Sequence, residues 1–185
     1  MRMLSDEIIV YTEKQAEELR KKMPYKKITA APNSFLHQNE MGTSPIPKQE
    51  ITNLIYVGRL SKPKKSKLLI DAFINVISNL PAQANLIIIG DGEQKEILQN
   101  LVIQNKLEHR IKILGQIYDF EQLKKYYAKS LFSVSPGYVG LSITQSFGFG
   151  VPMLISKDEN HSPEIEAAIV NENSIYFETG NKKDL

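Results

Sequence analysis

From Asn53 onward, short and continuously apolar runs alternate with amphipathic stretches, and few architectures accept that pattern. The runs are NLIYVG (53–58), NLIIIG (85–90), IKILG (111–115), LFSVSP (131–136), PMLIS (152–156) and SIYF (174–177). Between the first five lie amphipathic segments at 66–79, 93–105, 119–129 and 142–149. A strand that is apolar on both faces must be covered on both faces, and helices between successive strands make the pairing parallel. The pattern predicts an α/β domain, a Rossmann-like doubly wound parallel sheet. Asp119 with Gln122, and Ser142 with Gln145, have the spacing of capping boxes. Gly150 and Pro152 close the last of these helices.

The opening of the chain is organised differently. EIIVYT (7–12) and ITAAPN (28–33) read as two strands around a helix that starts at Thr12 with Gln15 and ends before Pro24. One βαβ unit is too small a sheet to stand alone. The polar run FLHQNEMGTSPIPKQE (35–50), with Pro45 and Pro47 and no periodicity, reads as an interdomain linker. The division is therefore 1–34 as a remnant βαβ segment, 35–50 as linker and 51–185 as the main domain. Both ends of the chain read as cut.

In an open parallel sheet, ligands bind beyond the carboxyl ends of the strands. Here those ends carry Gly58-Arg59 followed by Lys62, Lys64, Lys65 and Lys67, then Gly90-Asp91-Gly92, Gly115-Gln116 and SPGYVGLS (135–142). Glycines admit close backbone approach, helix starts attract anions, and the basic side chains add charge. These residue types suit a phosphate or diphosphate. The same lysines also fit a solvated face, and each glycine also fits an ordinary turn. Asp91-Gly92-Glu93 reads as a tight turn and helix cap. His37, His109 and His161 lack ligand-like spacing and read as incidental.

Composition removes other chemistries. The 185 residues contain no Cys, so disulfides, thiolate metal sites and cysteine nucleophiles are excluded. A net charge of +2 gives no argument for nucleic acid as a partner. No apolar run reaches the roughly 20 residues of a membrane span, and MRMLSDEIIVYT lacks the form of a secretory signal. The chain reads as cytoplasmic, with room for peripheral contact with the inner face of a membrane. Neither GxGxxG, GxxxxGK[ST], Asp-x-Asp nor a Ser/His/Asp arrangement is present.

Four runs in order carry a family resemblance: YVGRLSKPKKSKLLIDAF (56–73), LIIIGDGEQKEIL (86–98), IKILGQI (111–117) and SVSPGYVGLSITQSFGFGVPMLIS (133–156). They resemble the C-terminal, donor-binding domain of retaining glycosyltransferases of the GT-B fold, glycosyltransferase family four or group one. IIVYTEKQAEELR (8–20) through ITAAPNSF (28–35) resembles the closing βαβ unit of that family's N-terminal domain. The resemblance implies a nucleotide-sugar donor, no metal, no other cofactor, and a missing N-terminal domain as partner. It also implies that this chain contributes no catalytic residue of its own and does not catalyse transfer by itself.

Residue by residue, the resemblance puts the donor diphosphate on Arg59 and Lys64, with backbone amides at Gly140, Leu141 and Ser142. It puts the base and ribose against Gly115, Gln116, Ile117 and Gln145. The family's paired glutamates, eight positions apart, fall on Gly137, in the donor-sugar region, and on Gln145. Neither is acidic here, although the SPGYVGL run is similar to the SPGxVGL pattern of a subset of the family. Gln145 is left with two roles, a ribose ligand or the capping partner of Ser142. The implied activity is retaining transfer of a sugar during polysaccharide or glycolipid assembly. A GT-B sugar-nucleotide epimerase and a non-catalytic binding subunit are the alternatives.

Overall fold

The structure is a computed structural model that describes residues 5–33, 36–43 and 45–185. Residues 34 and 35, where the boundary between the βαβ segment and the linker is expected, lie outside the described residues. The first unit is β1 (Glu7–Val10), α1 (Glu13–Lys22) and β2 (Lys27–Ala30), with β1 and β2 parallel in a two-stranded sheet. Thr12 caps α1 as its sequence suggests, its hydroxyl accepting from the Gln15 N–H at 3.2 Å.

The main unit contains β3 (Asn53–Val57), α2 (Ser66–Val76), β4 (Leu86–Ile89), α3 (Lys95–Gln104) and β5 (Ile111–Ile113). It continues through α4 (Phe120–Ala128), β6 (Ser130–Ser135), α5 (Ser142–Gly148), β7 (Met153–Ser156) and β8 (Ser174–Phe177). All pairings are parallel, in the order β5-β4-β3-β6-β7-β8. Strands are added outward from β3 to β5, and then the chain crosses back to lay β6 on the other side of β3. That reversal makes the carboxyl ends of β3 and β6 the topological switch point, where open α/β sheets hold ligands.

The alternation of side chains along each strand supplies two cores. Tyr56, Leu86 and Ile88 face Leu69, Ile70 and Phe73 of α2 and Leu98 of α3. Ile55, Ile87 and Ile89 face Leu123 and Tyr127 of α4 and Phe149 beyond α5. Both faces of β4 are thus buried, which is why LIII is apolar at every position. Truncating Ile88, fully buried, to Ala would cost about 2–5 kcal/mol.

Local signals set some of the helix ends. Asp119 caps α4 by accepting from the N–H groups of Glu121 (2.8 Å) and Gln122 (3.3 Å). Gly150, at φ 75, and the bond from its N–H to Phe147 O end α5. At the start of α5 the expectation fails. Ser142 does not cap α5, because Leu141 is the cap residue, with helical backbone and no side-chain cap bond. The linker stretch is also more anchored than its composition suggests. Leu36 is buried in the second core, and Gly42 N–H donates to Gly148 O at 2.6 Å. The two units meet through Thr12, whose hydroxyl donates to Glu166 Oε1 at 2.8 Å. Among the described residues, no helix is long and apolar enough to cross a membrane.

Candidate functional site

The loops after β3 and β4 lie against each other at the switch point. A Cβ on Gly90, at φ 152, would stand 1.9 Å from Gly58 O, and one on Gly92 would stand 2.5 Å from Leu60 O. The glycines of Gly90-Asp91-Gly92 therefore serve backbone packing between two loops. Asp91 bonds the Gly92 N–H at 2.8 Å and pairs with Lys95 at 2.6 Å, so the tight turn forms. The expected helix cap does not, since α3 starts from Gln94 without a side-chain cap bond.

The structure separates lysines that look alike in sequence. Lys65 pairs with Glu159, and Lys67 pairs with Asp71 across one turn at 2.7 Å. Lys62 is exposed. Lys64 alone turns inward, its Nζ donating to Tyr138 O at 2.8 Å and standing 3.5 Å over the Tyr138 ring. Burial, and then the nearby charge of Arg59, pull its ammonium down to about 8. Arg59 itself is exposed at the end of β3, and its carbonyl accepts from Tyr56 OH at 2.8 Å.

Lys64 reaches the loop between β6 and α5. A Cβ built on Gly140 would lie 4.0 Å from Lys64 Nζ, and Ser142 shares a small internal cavity with Lys64 and Gly58. The α5 helix is only seven residues long, so its start adds little field and the two cations carry the electrostatics. Gly137 is buried behind Lys64, with its Cβ position 2.2 Å from Pro63 O. No side chain fits there, which accounts physically for the missing acid.

A cleft of about 690 Å³ opens beside this cluster. Arg59, Asp91, Gln116, Ile117 and Gln145 line it, over a floor that includes Val57, Ile89 and Leu123. Gln145 is only 4% exposed, and its Oε1 accepts from Tyr127 OH at 3.3 Å. This replaces the expected capping role. Burial drives the Tyr127 phenol well above its ordinary range, so it stays a donor. Gly115 and Leu141 do not line the cleft. Gly115 O accepts from Gly90 N–H at 2.8 Å, and Leu141 O from the Thr144 hydroxyl at 2.9 Å. No group of three or more metal-ligating side chains occurs among the described residues.

Two residues beside the site are not evident from sequence. Tyr138 lies inside the SPGYVGLS run but gives no local hint of its contact with Lys64. His161 is not incidental, since its Nδ1 accepts from Val139 N–H at 3.0 Å and its Nε2 lies 2.9 Å from Ser156 O.

Comparison with known proteins gives this geometry a context. Residues 38–185 match the family described as glycosyl transferases group 1. The O-antigen biosynthesis glycosyltransferase WbnH of Escherichia coli is 34% identical over 109 residues, which is 59% of this chain and 30% of that protein. The C-terminal domain of a glycosyl transferase group 1 family protein (LpcC) from Francisella tularensis superposes with a TM-score of 0.65. Its identity is 18%, over 80% of this chain and 82% of that one. Anabaena HepE in complex with UDP-glucose gives a TM-score of 0.67 at 21% identity, over 97% of this chain and 51% of that one. The chain spans about half of HepE and matches under a third of WbnH. The fold is that of the C-terminal half of the GT-B enzymes, and the chain belongs to the group 1 glycosyl transferases.

Proposed function

We propose that this chain is the donor-binding part of an enzyme that moves a sugar, with retention of configuration, from a nucleotide-sugar to a saccharide or glycolipid acceptor. The observation that carries the reading is the placement of Arg59 and Lys64 at the switch point, beside a cleft of about 690 Å³ shared by Gln116, Ile117 and Gln145. Cations fixed at that point stabilise the diphosphate that leaves as the glycosidic bond breaks, where the negative charge develops. The UDP-glucose complex of HepE supports a uridine nucleotide as the first donor to try. In this reading, residues 1–34 close an N-terminal domain, 35–50 link, and 51–185 form the donor domain. The separate two-stranded sheet of β1 and β2 supports that division.

The test is thermal denaturation of the chain against nucleoside diphosphates and nucleotide-sugars, followed by a transfer assay on a two-domain form. A ligand at 100 times its Kd adds about 2.7 kcal/mol. A selective rise in midpoint with one nucleotide is the expected result, and no response to any nucleotide would remove the proposal. Binding without transfer would favour the non-catalytic subunit, a reading supported by Gly137 and Gln145 standing where the family carries acids.

A further inference from the structure

The peptide group between Tyr138 and Val139 is held from both sides. Its carbonyl accepts from Lys64 Nζ at 2.8 Å, and its N–H donates to His161 Nδ1 at 3.0 Å. Because Nδ1 accepts, the imidazole is neutral with its proton on Nε2, where it donates to Ser156 O at 2.9 Å. Ser156 belongs to β7 and pairs with Phe177 of β8, so the far end of this chain of bonds is anchored in the sheet. Every bond runs in the same sense: ammonium to carbonyl, amide to imidazole, imidazole to strand carbonyl. Hydrogen bonds so arranged polarise one another.

We infer that His161 is the positioning residue of the anion site, orienting the Tyr138–Val139 peptide so that its carbonyl fixes the Lys64 ammonium beside Gly140. This rests on the proposed function, since it assumes that Lys64 meets a diphosphate. Other contacts hold the segment without setting the tilt of that peptide. Ser162 N–H donates to Val139 O at 2.9 Å, and the Val139 side chain is fully buried against Ile143, Met153 and Ile155. These bonds keep the loop in place when the imidazole is removed. Among the described residues, the ring alone supplies an acceptor to the N–H of the peptide whose carbonyl Lys64 uses. Phe at this position keeps bulk and offers no acceptor, whereas Asn offers Oδ1 close to where Nδ1 stands.

The experiment titrates inorganic diphosphate into the wild type, His161→Phe, His161→Asn, Lys64→Ala and the Lys64→Ala/His161→Phe double variant, with folding checked by circular dichroism. His161→Phe should weaken binding by about tenfold, the scale of one charge-assisted hydrogen bond. His161→Asn should return to within about threefold of the wild type if its Oδ1 replaces the lost acceptor. In the Lys64→Ala background His161→Phe should change nothing further, because the histidine acts through the lysine. Additive losses in the double variant would overturn the inference, as would a folded His161→Phe that binds like the wild type. His161→Asn binding as weakly as His161→Phe would overturn it too. If His161→Phe does not fold, the cycle is run with His161→Gln, whose amide sits one carbon farther out. No diphosphate binding by the wild type would instead strike the functional reading itself.

Discussion

Pro63 and Gly137 touch backbone to backbone: the carbonyl oxygen of Pro63 lies 2.2 Å from where a Cβ on Gly137 would be, and Lys64 Cα lies 2.9 Å from it. The turn that delivers Lys64 is seated on a residue that has no side chain. Gly137→Ala must push that turn away. Overpacking of this kind costs about 1–3 kcal/mol, and here it also displaces Lys64 from Tyr138. Gly140→Ala is the control, because its Cβ would meet nothing closer than Ser162 Oγ at 3.7 Å. Denaturant midpoints should fall for Gly137→Ala and hold for Gly140→Ala. Equal midpoints would mean that the turn yields freely.

Arg59 is exposed and its side chain is poised over the cleft, so its removal should touch binding more than folding. Charge-assisted hydrogen bonds contribute about 1.5–3 kcal/mol, and solvent screening puts an exposed group toward the low end. Arg59→Ala is expected to weaken nucleoside diphosphate binding by about tenfold, with an unchanged melting midpoint. The loss should shrink as salt is added. Unaltered affinity in a folded variant would take Arg59 out of the site.

Gln145 and Tyr127 form a buried pair, so truncating one strands the other. Gln145→Ala leaves the Tyr127 hydroxyl without its acceptor at a fully buried position, a loss of about 1–3 kcal/mol. Adding Tyr127→Phe removes the stranded group, and the double variant should regain part of that loss. If Gln145 also meets the ribose, Gln145→Ala should weaken a ribonucleotide while sparing inorganic diphosphate. Losses that simply add in the double variant would show that the pair is not coupled as the distance implies.

Much of this architecture is legible in the chain itself. Burial on both faces writes itself as apolar runs, so the strands stand out, and LIII at 86–89 is the clearest. The loops are harder, because their partners are far away in sequence. Lys65 finds Glu159, 94 positions on, while Lys64, next to it, finds a backbone carbonyl 74 positions on. Nothing local distinguishes the two. Gln145 has the spacing of a capping residue, yet its face of α5 points at Tyr127 and burial overrides the cap. His161 bonds two backbone groups, and a histidine that serves backbone leaves no paired residue type to search for.

The depressed ammonium of Lys64 makes ligand binding depend on pH in a definite direction. Burial and the charge of Arg59 hold it at about 8, whereas a free lysine stays charged to about 10.4. Below pH 8 the group is already charged and ready for an anion. Above that, the free protein carries it neutral, and a bound diphosphate must draw a proton back. Affinity should therefore be level below pH 8 and fall above it by up to about tenfold per unit. Stability moves the other way: the unfolded chain holds the proton to higher pH, so this group's contribution to folding rises between about pH 8 and 10.4. Lys64→Arg keeps a charge throughout, because a guanidinium does not deprotonate in this range. Its binding curve should be flatter than that of the wild type from pH 7 to 10. The ligand's own ionisation is common to both proteins, so the difference between the curves isolates Lys64. Calorimetric titration of a nucleoside diphosphate at several pH values measures it. Superimposable curves would mean that Lys64 does not meet the phosphates.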